Sequence, residues 1–296
     1  MPELDILHCK IKRVFTWGHH IKRAFPMFRP HMGNGYPQRA SGATLEVSVV
    51  LPCFNEAESV PELTAELNTV LDRLGLASEI LFINDASTDH TLDVLRDLQQ
   101  RYPRVKIINH QQRAGQSAGH ASGFRFARGL HIVTMDADGQ NDPSDMPRLL
   151  AALAHADAVC GIRRQRQDSW VVRVSSRIAN RFRNAITREH ITDAGCAYRA
   201  LRRSVLSEIP VFNGMHRFLP TLLRMQGYHV VEMDVNHRPR HAGVSKYGIN
   251  NRLWRGLIDC VAIRWFQSRA VPGHRVLSID EVPMPQTTQT ESTTQA

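Results

Sequence analysis

From Leu45 to Asp142 the chain alternates between two patterns, and that alternation leaves few folds open. The runs LEVSVVLP, EILFIND, VKIINH and HIVTM are short, apolar and rich in β-branched residues, as buried strands are, and each of the first three leads into a stretch with helical signals. Val60, Leu63, Leu67, Val70, Leu71 and Leu74 recur at helical spacing, with Pro61 tolerated in the first turn and Ser59 and Glu62 placed as a capping box. ASTDHT supplies hydroxyls to cap a helix over Leu92 to Gln100, and RAGQSAGHASG opens a helix whose small residues allow close approach of backbone or ligand. Parallel strands need such crossover helices, so the fold class is α/β: a Rossmann-like, mostly parallel open sheet with helices on both faces.

In such sheets ligands bind beyond the carboxyl ends of the strands. Polar clusters stand at those ends: Asn55-Glu56, Asn84-Asp85, and the acidic turn Asp136 to Gln140 within HIVTMDADGQNDP. About one Asp-x-Asp is expected by chance in a chain this long, and a turn before a helix explains any one cluster. Three clusters converging on one rim need another reason. Asp136, Asp138 and Gln140 offer oxygen donors two residues apart, a set that suits a hard divalent cation completing its shell with a ligand's phosphates.

At 296 residues, 42% hydrophobic and 22% charged, the chain is globular. No apolar run approaches the roughly 18 to 20 residues that span a bilayer, and the N-terminus lacks the apolar core of a signal peptide. The five scattered cysteines suit reduced thiols rather than a disulfide framework or metal cage. A formal net charge of +9 favours anionic partners. Residues 1–44 read as a basic amphipathic extension, with Lys10, Lys12, Arg13, Lys22, Arg23 and Arg29 among Val14, Phe15, Trp17, Ile21, Phe25 and Phe28; a membrane-surface arm and a mobile extension fit equally. Residues 249–270 read as an amphipathic helix with Leu253, Trp254, Leu257, Ile258, Val261, Ala262, Trp265 and Phe266 on one face, which either covers the core or lies in a membrane interface. Residues 271–296 have the composition of a disordered tail.

VVLPCFNEAESV, NDASTDHT and DADGQNDP, in that order and spacing, resemble the nucleotide-sugar-binding half of family 2 glycosyltransferases with the GT-A fold. GIRRQRQDSWVVRVSSRIANRF, DAGCAYRA and NHRPRHAGVSKYG extend the resemblance over residues 45–248, toward the polyprenyl-phosphate branch that contains dolichol-phosphate mannosyltransferase and undecaprenyl-phosphate sugar transferases. The resemblance implies a nucleotide-sugar site of Pro52, Asn55, Glu56, Asp85, Gln116, Asp136 and Asp138, with Asp85 on the base, and Mg²⁺ or Mn²⁺ held by Asp136, Asp138 and Gln140. It implies an acceptor-phosphate site of Arg163, Arg173, Ser176, Arg240, Ser245 and Lys246, with Asp138 and Arg240 carrying the transfer. Asn84 and Ala86 stand where the family often has Asp and Gly, which leaves the base and the sugar open between GDP- and UDP-linked donors.

The chemistry agrees with these residue types. A phosphate monoester is largely ionised near neutral pH and is its own nucleophile, whereas a sugar hydroxyl needs a carboxylate within hydrogen-bond reach. The basic second half fits a phosphate acceptor, with Arg164, Arg166, Arg177, Arg181 and Arg183 read as a solvated face. Asp193, Arg199 and His216 stay open: Asp193 either lines the acceptor side or pairs with an arginine. The expected function is inverting sugar transfer to a polyprenyl phosphate, at the inner face of the cell membrane, by a peripheral cytoplasmic enzyme bound to anionic lipid or an integral-membrane partner. Transfer to a polysaccharide hydroxyl and silent nucleotide-sugar binding are the alternatives. A nucleic-acid partner is not expected, because charge alone does not explain three acidic or amide turns on one rim.

Overall fold

The computed structural model describes residues 45–163, 170–207, 209–239 and 250–270, with backbone alone for 170–176 and 250–255. The N-terminal extension, the loop carrying Arg240, Ser245 and Lys246, residues Arg164 and Arg166, and the tail lie outside them. The described residues all fall in one compact unit that starts at Ala43.

Seven strands form one sheet among the described residues: β1 Val47–Cys53, β2 Ser78–Asn84, β3 Val105–Asn109, β4 His131–Thr134, β5 Ala158–Arg163, β6 Arg199–Arg202 and β7 Val230–Val235. Their order is β3-β2-β1-β4-β6-β5-β7. β1 pairs in parallel with β2 and β4, β2 with β3, and β5 with β7, while β6 runs antiparallel between β4 and β5. The helices are α1 Val60–Leu74, α2 Thr91–Arg101, α3 Gln116–Phe126, α4 Met146–Ala152, α5 Trp170–Thr187, α6 Met215–Met225 and α7 Asn250–Arg269.

Strand alternation divides the core in two. Val47, Val49, Leu51, Ile80 and Phe82 face α1, α2 and α4, while Val50, Leu81, Ile83 and Ile132 face α3, α6 and α7. Both faces are covered, which is why the strands read as near-continuous apolar runs. The small residues of α3 serve packing on β1: a Cβ at Gly123 would lie 2.2 Å from Val50 Cγ1, and one at Gly119 would lie 2.8 Å from Pro52 Cβ. Pro52 is thus held against α3 at the rim end of β1.

Two expectations about helix starts are corrected. Ser59 makes no side-chain cap to α1. Its hydroxyl instead donates to the Ala137 carbonyl (2.8 Å), tying the head of α1 to the acidic turn. The hydroxyls of ASTDHT likewise do not cap α2; the Asp89 carboxylate accepts from Thr91 N (3.0 Å). Burial works against that charge, but the hydrogen bonds from Thr91 and neighbouring amides more than offset it and hold the Asp89 carboxyl below its usual range.

Candidate active site

The order β2-β1-β4 brings three strand ends side by side, and side chains stitch their turns together. Asn55 takes the left-handed backbone (φ 56°), which Asn tolerates better than most residues. Its side chain accepts from Thr88 N (2.7 Å) and donates to Thr88 Oγ1 (3.0 Å), while Asn55 N donates to Ser87 Oγ (3.0 Å) and Glu56 N to Thr91 Oγ1 (2.9 Å). The hydroxyls expected at the cap of α2 therefore join the turns after β1 and β2. Beside them the Arg113 guanidinium lies 4.0 Å from the centroid of the Phe54 ring.

Asp85 is 5% exposed and organises the loop after β3. One oxygen meets His110 Nδ1 and Ala114 N, the other Gly115 N, all at 2.8 Å. His110 Nε2 reaches Ser122 Oγ of α3 (2.9 Å). Asp85 therefore shapes the wall of the site.

In the acidic turn Gln116, at the head of α3, donates to Asp136 Oδ1 (2.7 Å). Asp136 N donates to Asn141 Oδ1 and Gln140 N to Asp138 Oδ1, each at 3.2 Å. Gly139 provides the left-handed residue (φ 73°) that reverses the chain between Asp138 and Gln140. Asp136 and Asp138 thus share one short turn at the end of β4, with Gln116 beside them.

A segment from the far side of the sequence docks on this turn. Asn141 and His237 form an antiparallel bridge, Arg238 N donates to Gln140 O (2.8 Å), and Asn236 N donates to Asp145 Oδ2 (2.6 Å). The Arg238 guanidinium bonds both Glu66 oxygens on α1 (2.8 Å each) and Asp142 Oδ1 (2.9 Å). Burial raises the Asp142 carboxyl, but the Ser144 hydrogen bonds and the Arg238 charge pull it below its usual range.

In the second half, Arg163 and Asp193 form a two-pronged pair: Nε to Oδ2 at 2.7 Å and Nη2 to Oδ1 at 2.9 Å. Burial opposes the charge of Arg163, and the bonds to Asp193 outweigh it, so the guanidinium stays protonated. Asp193 is thus a loop carboxylate paired with an arginine. Arg199 is buried on β6 and donates to His216 O (2.7 Å), and His216 Nδ1 meets Ser117 Oγ of α3 (2.7 Å). His120, fully buried nearby with both ring nitrogens unpartnered, is depressed to about 3 by burial and by the Arg199 charge, so it is neutral. Arg173 and Ser176 lie on the α5 backbone. Arg177 and Arg181 are exposed as expected, but Arg183 is not part of a solvated face: it is 6% exposed and bonds Glu189 and Thr221. The described cysteines, Cys53, Cys160, Cys196 and Cys260, are free and buried. Burial raises their thiols, Cys196 to about 12, which keeps them out of the chemistry.

The Glycosyl transferase family 2 profile matches residues 48–210. The chain belongs to this family. Undecaprenyl-phosphate 4-deoxy-4-formamido-L-arabinose transferase of Aeromonas hydrophila is 32% identical over 237 residues, which cover 79% of this chain and 73% of the relative. Dodecaprenyl-phosphate galacturonate synthase of Rhizobium johnstonii is 34% identical over 238 residues, 78% of this chain and 70% of the relative. Among solved structures, glucosyl-3-phosphoglycerate synthase of Mycobacterium tuberculosis with Mn²⁺, UDP and phosphoglyceric acid aligns with a TM-score of 0.58 at 18% identity, over 74% of this chain and 79% of that one. A mannosyltransferase of Pyrobaculum calidifontis with GDP-Man and Mn²⁺ aligns at 0.53 and 21%, over 76% and 65%. These structural neighbours share the fold, and they hold a divalent metal with a nucleotide or nucleotide sugar.

The acidic turn of this family 2 glycosyltransferase has a donor set that fits such a cation. Two carboxylates and an amide stand in one turn, and the Gln140 nitrogen faces the Arg238 carbonyl (3.4 Å), leaving its oxygen as the donor end. Two carboxylates and one amide oxygen leave the rest of a hard cation's shell to donor phosphate and water. Sequence reading passed over His110 and Arg238. His110 ends the β3 run VKIINH, so the strand-end rule applied to β1, β2 and β4 would have found it. Arg238 stands within NHRPRHAGVSKYG, where Arg240 drew attention instead.

Proposed function

We propose that this protein transfers a sugar, with inversion, from a nucleoside-diphosphate donor to a polyprenyl phosphate. The observation that carries the reading is the docking of residues 236–238 on the acidic turn, which sets the root of the NHRPRHAGVSKYG loop beside Asp136 and Asp138. The curated relatives, named for undecaprenyl and dodecaprenyl phosphates, support the acceptor class, a long-chain prenyl phosphate. Asp136, Asp138 and Gln140 would hold Mg²⁺ or Mn²⁺, whose chemistry is to neutralise the diphosphate leaving group. The donor lies along the rim from Asn55 and Asp85 to Asp138, with its base toward the Asp85 wall. The acceptor's phosphate oxygen attacks the anomeric carbon opposite the diphosphate; the new C–O bond forms as the old one breaks, and no base is needed because the nucleophile is already an anion. Arg240 and Lys246 clamp that anion, assisted by Ser245 and by Arg173 and Ser176 of α5. Arg163 is paired with Asp193, so its part is to fix the shape of the loop after β5 beside the acceptor. Incubation with a panel of UDP- and GDP-sugars and a short polyprenyl phosphate, read by mass spectrometry, is expected to yield one polyprenyl-phosphate sugar; product formed only on a glycan hydroxyl overturns the reading.

The enzyme acts at the cytoplasmic face of the cell membrane. No described helix is long and apolar enough to cross a bilayer. The α7 residues Ile258, Val261 and Trp265, expected on one face with the core-covering residues, are turned outward at 58%, 61% and 64% exposure, while Cys260 and Ile263 point inward. α5 packs against α7 and exposes Ile178 and Phe182, and it carries arginines and no acid. Such a basic, apolar-faced pair suits an anionic interface. The protein is expected to bind phosphatidylglycerol vesicles in a salt-sensitive way, and a Phe182→Asp, Trp265→Asp double variant to bind at least about tenfold more weakly. Unchanged binding would transfer attachment to residues 1–44, and no binding by the wild type to an integral-membrane partner.

A further inference from the structure

We infer that Arg238 is a positioning residue for the transfer, setting residues 236–239, which lead to Arg240, against the donor's acidic turn. The inference rests on the polyprenyl-phosphate reading above and concerns how its two substrates are brought into one geometry. Arg238 is two residues before Arg240 and separated from it only by Pro239, whose ring limits backbone rotation. Its own position is set four ways: its N–H on Gln140 O, its carbonyl facing the Gln140 amide, and its guanidinium on Asp142 of the turn and on Glu66 of α1. Asn141, paired with His237, also accepts from Asp136 N. Hydrogen bonds therefore run from Asp136, at the donor, to the start of the acceptor loop. α1 in turn is held to the same turn through Ser59 and the Ala137 carbonyl. A planar guanidinium can meet two carboxylates on different elements at once; a lysine ammonium is a point charge and holds such a geometry less well.

A brace that only stabilises the fold would be damaged everywhere alike. A positioning residue fails selectively: the donor site stays formed, and the acceptor's phosphate is presented in the wrong place. A displacement near 1 Å in a reacting geometry costs on the order of 100-fold in rate. The test uses the full chain with Arg238→Ala, Arg238→Lys, Glu66→Gln and the Glu66→Gln, Arg238→Ala double variant. Three quantities are read: nucleoside-diphosphate affinity in Mn²⁺ by calorimetry, donor hydrolysis without lipid, and kcat/KM for a short polyprenyl phosphate at saturating donor.

Arg238→Ala is expected to lower kcat/KM for the lipid roughly 30- to 100-fold, with nucleotide affinity and donor hydrolysis kept within about threefold. Arg238→Lys and Glu66→Gln should fall between it and wild type, and the double variant should be no worse than Arg238→Ala, because Glu66 acts through the arginine. Equal losses in nucleotide affinity, hydrolysis and transfer would overturn the inference in favour of a structural brace, and so would full transfer by Arg238→Ala. Should Arg238→Ala not fold, the transfer-to-hydrolysis ratio of Arg238→Lys and Glu66→Gln decides. If the wild type uses a different acceptor, the polyprenyl reading fails on that result alone, and the same ratio measured with the acceptor found tests Arg238 independently.

Discussion

Asp138→Ala is expected to lower kcat for sugar transfer by on the order of 10²- to 10³-fold or more, because it removes one of two carboxylates that would hold the cation over the leaving diphosphate. The fold should survive. Asp138 is in a turn rather than in either apolar cluster, and its side chain accepts from the Gln140 amide two residues on (3.2 Å). Asp138→Asn separates charge from shape: it keeps the size of the group and loses the anion, so it should be nearly as inactive. Circular dichroism and thermal unfolding check the fold, and steady-state transfer across a Mn²⁺ titration checks the chemistry. A folded Asp138→Ala protein with near-wild-type turnover would sink the assignment of the acidic turn. Asp85 makes an instructive contrast, since its carboxylate holds His110, Ala114 and Gly115, and its removal should damage the loop as well as the donor site.

Arg240→Ala tests the acceptor. If Arg240 clamps the phosphate of the lipid, its loss removes a charge-assisted contact to a nucleophile that is itself the anion, about 2 to 4 kcal/mol of transition-state stabilisation, or roughly 30- to 1000-fold in kcat/KM. Donor binding without lipid should change far less. The comparison is between polyprenyl phosphate and the corresponding polyprenol, each with wild type and variant. Wild type should use the phosphate and not the alcohol. Equal use of both by wild type, or an equal penalty on both from Arg240→Ala, would replace the lipid-phosphate reading with transfer to a hydroxyl.

Much of this site could be read without coordinates because its positions are dictated locally. A run such as LEVSVVLP, alternating with helical stretches, fits a strand covered on both faces of a parallel sheet, and a parallel sheet puts the carboxyl ends of β1, β2 and β4 on one rim. Asn55, Asp85, Asp136 and Asp138 follow those ends in the chain, so their place on one rim follows from strand direction. Helix starts were less legible, since Ser59 and Thr91 have hydroxyls that satisfy a cap or a neighbouring turn equally well on sequence grounds. Three-dimensional proximity settled both for the neighbouring turns.

What only the tertiary structure decided are contacts between residues far apart in the chain. Asp193 pairs with Arg163 across 30 positions because antiparallel β6 returns the chain alongside β5. Arg183, one arginine among several on α5, is buried because its face of the helix meets Glu189 and Thr221. Arg238 reaches Glu66 across 172 positions, and no local periodicity encodes that pairing. Local sequence determines which residues end strands and which faces are apolar, because those depend on backbone geometry repeating every two or 3.6 residues. Which charge meets which across the sheet depends on strand order and helix placement, and these are set by the packing of the whole core.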